Sequence, residues 1–160
     1  MLNTQSQWHL PLIFSYMGTL PFIAFTLLAT GEFHFPLLED PQLIYFTNLA
    51  YAGLILFFMA GADWGKALKS GEIRQYLIAM IFSVLGFALL FAAMALQHTT
   101  VLPLAGFALL FVAFYFAESW AQAGYKITFH NYKIHRIILT TIVVVCLVVS
   151  TYLHTRGVSY

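Results

Sequence analysis

The sequence predicts an all-α, polytopic membrane protein: a bundle of five transmembrane helices with the N-terminus inside and the C-terminus outside. Three observations carry this expectation. Of the 160 residues, 61% are hydrophobic and 8% charged, whereas a soluble domain carries about 25% charged side chains. Seven Lys and Arg with six Asp and Glu are too few to cover a water-soluble globule of this length. Those charges are clustered, leaving long uncharged intervals between them, and the basic ones fall almost wholly at one set of interval ends.

Each interval is measured against the roughly 20 apolar residues that a helix needs to cross a hydrocarbon core of about 30 Å. The first interval is apolar from Leu10 to Ala29 and predicts a span at about 10–30. Within it, Gly18-Thr19-Leu20-Pro21-Phe22 is expected to bend the helix, because Pro21 has no N–H to donate to the preceding turn. The stretch lacks a charged leader and a small-residue cleavage site, which argues against a signal peptide. The second interval, from Pro41 to Asp63, predicts a span at 42–63. The third, between Arg74 and Glu118, is twice the length of one span. Its middle reads Gln97-His98-Thr99-Thr100 followed by Pro103, so it is expected to fold as a hairpin of two helices at 75–97 and 101–123. Pro103 then falls in the first helical turn, where a missing N–H costs little. The last interval, rich in Ile, Val, Leu and Thr, predicts a span at 136–155. Five spans leave no room for a soluble domain, so residues 1–160 are expected to form a single transmembrane domain. No internal repeat of the kind found in many transporters is visible.

Orientation follows from the basic residues. Lys66, Lys69 and Arg74 follow the second span and Lys126, Lys133 and Arg136 follow the fourth, all on the side of the N-terminus. Arg156 alone lies opposite, and the loop after the first span carries Glu32, Glu39 and Asp40. The positive-inside rule places the N-terminus inside. Trp8, Trp64 and Trp120 fall at the same inner ends, as half of an aromatic belt.

The densest polar motif is Gly61-Ala62-Asp63-Trp64-Gly65-Lys66, at the inner end of the second span. Gly53, Gly61 and Gly65, with Phe57, are expected to form one small-residue face for close helix packing. Asp63 and Lys66 are spaced to pair on a helix surface. Glu118 lies deeper, in Tyr115-Phe116-Ala117-Glu118-Ser119-Trp120, with Tyr115 and Gln122 on roughly the same face. An acid at that depth requires a partner. Arg136 opens the last span at the same level, so the expected pairings are Glu118 with Arg136, and Asp63 with Lys66 or Arg136. The set Asp63, Trp64, Lys66, Glu118 and Arg136 is the candidate site for a ligand or partner. It either ties the inner helix ends together or frames a small polar pocket.

Other chemistry finds little support. His9, His34, His98, His130, His135 and His154 lie near or outside the span ends, none facing another in mid-span, so neither a bis-His haem nor a metal site is expected. Cys146, the single cysteine, reads as a buried inert thiol. The mid-membrane polar residues, Thr19, Thr26, Asn48, Ser83 and Thr140, are of the kind that satisfy helix carbonyls or neighbouring helices. No P-loop, GxSxG, HExxH or paired-carboxylate motif occurs, so the expectation is a non-enzymatic protein without a cofactor. A net charge of +1 gives no reason for a nucleic-acid partner.

Gly18-Thr19-Leu20-Pro21-Phe22, the Tyr51–Leu68 stretch with Gly61, Trp64 and Gly65, and the Tyr132–Thr140 stretch with Arg136, Leu139 and Thr140 resemble one family. This is the bacterial and mitochondrial membrane family called domain of unknown function 3429, which includes transmembrane protein 69. Where that family tends to place a basic or imidazole residue before Trp-Gly, this chain has Asp63. The resemblance implies a small multi-span protein of the bacterial inner membrane, or of the mitochondrial inner membrane in a eukaryote; it implies no activity.

The function expected first is an accessory or assembly subunit that binds other membrane proteins, in a respiratory or other energy-converting complex. The alternative is a quinone- or lipid-binding protein with a polar site at the inner ends of the second, fourth and fifth spans. A small transporter ranks third and a homo-oligomeric channel fourth, since neither has a continuous polar path in one protomer. The expected partners are membrane lipids and other membrane-protein subunits, with homo-oligomerisation open.

Overall fold

The computed structural model describes residues 9–33, 40–95, 102–121 and 132–156, and every regular element among them is an α-helix. Helices α1 (His9–Met17) and α2 (Leu20–Leu28) are followed by α3 (Pro41–Ser70), α4 (Ile73–Ala95), α5 (Leu102–Ala121) and α6 (Tyr132–Thr155). Helices α3 to α6 are each long and apolar enough to cross a membrane; the apolar helical segment Ile13–Leu28 is shorter.

The expected first span at 10–30 is therefore not one continuous helix. It breaks at Gly18-Thr19, just before Pro21. Without a proline N–H the carbonyl of Met17 loses its natural donor, and the chain reorganises around it. The Thr19 amide donates to the Tyr16 carbonyl at 3.0 Å, three residues back, and the Thr19 hydroxyl reaches the same oxygen at 2.7 Å. From outside the segment, the Tyr51 hydroxyl donates to the Gly18 carbonyl at 2.8 Å.

Helix α3 starts where Asp40 accepts from the Gln42 amide at 2.9 Å with Pro41 in the first turn, a side-chain cap that satisfies an orphan donor. It ends at Gly71, whose φ of 72° is the left-handed conformation open to glycine and whose amide donates to the Ala67 carbonyl at 2.8 Å. The helix thus runs seven residues beyond the 42–63 span. Trp64 to Ser70 continue the backbone hydrogen bonding although they are too polar for the bilayer core. Helix α5 carries Pro103 in its first turn. The expected hairpin turn at Gln97–Thr100 lies outside the described residues, as do Trp8, His34, His98, Gln122, Lys126 and His130.

Helices α2 to α6 close a ring: α2 packs on α3, α3 on α4, α4 on α5, α5 on α6, and α6 back on α2, with α3 also meeting α5 across it. Along the ring's axis lie Phe22, Leu56, Phe107, Phe111, Phe114 and Leu147, all fully buried. Phe22 meets Phe111 edge-on at 6.2 Å, and Phe82 meets Phe114 at 5.1 Å, geometries that the ring quadrupole favours.

Small residues set the close approaches, though only partly at the expected positions. A Cβ on Gly53 would lie 2.7 Å from Leu90 Cδ1, and one on Gly86 would lie 2.9 Å from Leu56 Cδ2. Gly61 and Gly65 instead point away from the ring, and no described residue lies within 4 Å of a Cβ built on either. The expectation that they share a packed face with Gly53 is corrected by helix geometry. Each step of four residues overshoots a full turn by about 40°, so Gly65 has rotated about 120° from Gly53.

Candidate functional site

At one end of the bundle α3 and α5 finish while α4 and α6 begin, and there the two deep acids of the sequence meet two bases. Asp63 on α3 and Glu118 on α5 are 3% and 4% exposed. Lys66 Nζ donates to Asp63 Oδ1 at 2.6 Å and to Glu118 Oε1 at 3.2 Å. On the other side of Glu118, Arg136 Nε donates to Oε2 at 2.8 Å and Nη2 forms an ion pair with the same oxygen at 2.8 Å. The guanidinium also stands over the Phe114 ring, 5.8 Å from its centroid.

The spacing explains the arrangement. Asp63 and Lys66, three apart, share one side of α3 and face α5. Glu118 sits one turn before the end of α5 and Arg136 in the second turn of α6, so antiparallel helices bring them level. Two acids and two bases balance, and each buried carboxylate oxygen named here has a charged donor. That arrangement is what partial burial of charge demands. Of the two pairings open to Asp63, the structure forms the one with Lys66. That Lys66 also reaches Glu118, joining the pairs into a single chain, was not read from spacing, because it depends on how close α3 comes to α5.

Trp64 does not join this group. Consecutive helical residues point about 100° apart, so with Asp63 turned inward Trp64 faces outward, 40% exposed, with its ring edge-on to Tyr76 at 5.0 Å. Arg74 stands over Trp120 at 5.0 Å, which leaves Trp64 and Trp120 as an aromatic fringe at this end.

Next to the charges, where the α1–α2 break separates the segment from α3 and α6, lies a cleft of about 170 Å³. Its walls are mainly apolar and include Gly18, Ile55, Met59, Phe111, Leu139 and Val143, with Arg136, Thr140, Ser15 and Thr19 as polar members. Phe14 and Phe58, 65% and 73% exposed, stand at its rim. Beside the cleft the Tyr16 hydroxyl and His135 Nδ1 are hydrogen-bonded at 2.8 Å. Pro21, expected to bend the first span, follows the Gly18-Thr19 break, and Phe14 and Gly18 before it line the cleft.

A second polar group links α2, α3 and α6 towards the opposite end. Asn48 Nδ2 donates to Ser150 Oγ at 3.2 Å, Ser150 Oγ lies 3.1 Å from Thr26 Oγ1, and Thr26 donates to the Phe22 carbonyl at 2.8 Å. Asn48 Oδ1 is buried with no hydrogen-bond partner among the described residues, as is Gln75 Oε1 on α4. Asn48 and Thr26 were legible as polar residues in apolar spans, and a search for polar residues at helical register on the last span would have found Ser150.

Fold and site together define a class: an all-α protein with four helices of membrane-crossing length and apolarity, and a buried, charge-balanced cluster at one end of its bundle. The family model described as Protein of unknown function (DUF3429) matches residues 8–152. The chain belongs to that family. No curated protein and no solved structure matches it.

Proposed function

We propose that the chain is a five-span protein of the bacterial inner membrane, or of the mitochondrial inner membrane in a eukaryote, that binds a membrane amphiphile in the cleft beside Arg136. The broken segment 9–28 is taken as the first span and the charged end as the inner end. The observation that carries this reading is the cleft itself. An apolar recess that opens between two exposed phenylalanines and holds one guanidinium matches an amphiphile with a polar head and an apolar tail. Purification in mild detergent followed by mass spectrometry of the organic extract is expected to recover about one amphiphile per chain. Leu139→Phe, which fills the cleft, is expected to lose it; equal recovery from both proteins would refute the reading. A reporter fused to the C-terminus, active only outside, tests the orientation.

A second reading, an accessory or assembly subunit binding other membrane proteins, is favoured by the outward face of Gly61 and Gly65. Small residues of that kind let a partner helix approach closely. Gly61→Leu is then expected to leave the isolated protein folded but release it from any larger assembly. Unchanged co-purification would count against this reading.

A further inference from the structure

Two groups on the α6 wall of the cleft, Arg136 and Thr140, can donate hydrogen bonds into it. Arg136 engages Glu118 through Nε and Nη2, while its Nη1 has no hydrogen-bond partner among the described residues. One turn further along α6, Thr140 lines the same cleft. A threonine in an apolar helix ordinarily donates to the carbonyl four residues back, as Thr26, Thr47 and Thr151 do here at 2.7–2.8 Å. Thr140, like its exposed neighbour Thr141, makes no such bond. A hydroxyl and a guanidinium edge without acceptors among the described residues, one helical turn apart on the wall of an apolar recess, call for an acceptor between them.

Charge decides what kind of acceptor. Arg136 and Lys66 are already matched by Glu118 and Asp63 at 2.6–3.2 Å. A phosphate or carboxylate head in the cleft would add an unmatched negative charge beside two buried acids. An uncharged oxygen adds none and still accepts both hydrogen bonds.

Resting on the amphiphile-binding reading above, we infer that the cleft takes an uncharged head bearing a carbonyl oxygen, which accepts from Arg136 Nη1 and Thr140 Oγ while the apolar tail leaves between Phe14 and Phe58. Isoprenoid-type quinones and neutral glycerides share this chemistry. A ring carbonyl and an ester carbonyl both present a two-lone-pair acceptor at the head of a long apolar chain.

The test uses the full chain in detergent, with decylubiquinone, dioleoylglycerol and dioleoylphosphatidylglycerol offered separately and binding read by native mass spectrometry. Saturable binding of either uncharged probe, tighter than that of the anionic lipid, is the expected result. Which of the two binds tells quinone from glyceride. Thr140→Val, which removes the hydroxyl at nearly constant shape, is expected to weaken that probe about three- to tenfold, the loss of one neutral hydrogen bond. Leu139→Phe should abolish its binding, with the melting temperature of both variants confirming the fold. Tighter binding of the phosphatidylglycerol, or an affinity untouched by Thr140→Val, overturns the uncharged carbonyl head and leaves the amphiphile reading standing. Absence of saturable binding for all three probes overturns both.

Discussion

Glu118 on α5 is gripped from both sides, by Lys66 of α3 through Oε1 at 3.2 Å and by Arg136 of α6 through Oε2 at 2.8 Å. One carboxylate therefore fastens three helices at a single level. Removing its charge leaves a mostly buried guanidinium facing a neutral group, and breaking a buried pair from one side costs about 3–5 kcal/mol. Glu118→Gln keeps the shape and one acceptor, so the expected loss is about 2–4 kcal/mol on that scale. Asp63→Asn should cost less, about 1 kcal/mol, because its partner Lys66 is 44% exposed and can be rehydrated. Thermal unfolding in detergent of the two variants checks the order, and a smaller loss for Glu118→Gln than for Asp63→Asn would contradict it.

Glycines on this scaffold divide by what they face. A methyl at Gly86 would strike Leu56, which is fully buried and has nowhere to move, so Gly86→Ala is expected to destabilise by about 1–3 kcal/mol. Gly61→Ala and Gly65→Ala meet open space. Alanine's better helix propensity should then stabilise the isolated chain by about 0.5–1 kcal/mol each. Melting temperatures moving in opposite directions are the expected signature.

How much of this was legible in sequence follows the same division. The uncharged intervals located α3 to α6 because desolvating a charge is expensive enough to exclude it from the bilayer core. They misjudged the Gly71 end of α3, where helix propensity and the Gly71 cap, not apolarity, decide where the helix stops. Glu118 with Arg136 could be read because both sit at one depth on antiparallel helices. The bridge from Lys66 to Glu118, the outward turn of Trp64 and the rotation of Gly61 and Gly65 away from the ring required interhelical distances and helix phase. A four-residue spacing fixes phase only over one or two turns.

Asn48 and Ser150 provide a cycle that tests the second polar group. Whichever way the Asn48 amide is turned, Ser150 satisfies one end of it, and Oδ1 has no partner among the described residues in the orientation seen. Ser150→Ala strips the remaining bond and should cost about 1–3 kcal/mol. Asn48→Leu removes the unsatisfied amide altogether and should cost less than that. In the double variant no buried amide remains to be paired, so the expected coupling is favourable and about 1 kcal/mol in size. Additive losses would mean that the two side chains do not share a bond in the folded protein.

Pro21 ties the fold to the proposed site. Its missing N–H breaks the first segment, and the exposed carbonyls around the break are met sideways, Gly18 by the Tyr51 hydroxyl and Tyr16 by Thr19. The Tyr51 ring is itself fixed edge-on to Phe22 at 5.0 Å and to Phe25 at 6.2 Å. The break is thus held open by α3 as well as permitted by proline. Pro21→Ala restores a donor to the Met17 carbonyl, so one continuous helix becomes available and the wall formed by Phe14 and Gly18 can swing relative to α6. Its melting temperature should stay level or rise, since a helical hydrogen bond is regained, while retention of a bound amphiphile falls. Tyr51→Phe should cost about 0.5–1.5 kcal/mol for the lost bond to Gly18 and lower retention in the same direction. If Pro21→Ala stabilises the chain yet holds the amphiphile as tightly as before, the cleft is shaped by α3 and α6 alone and the kink has no part in binding.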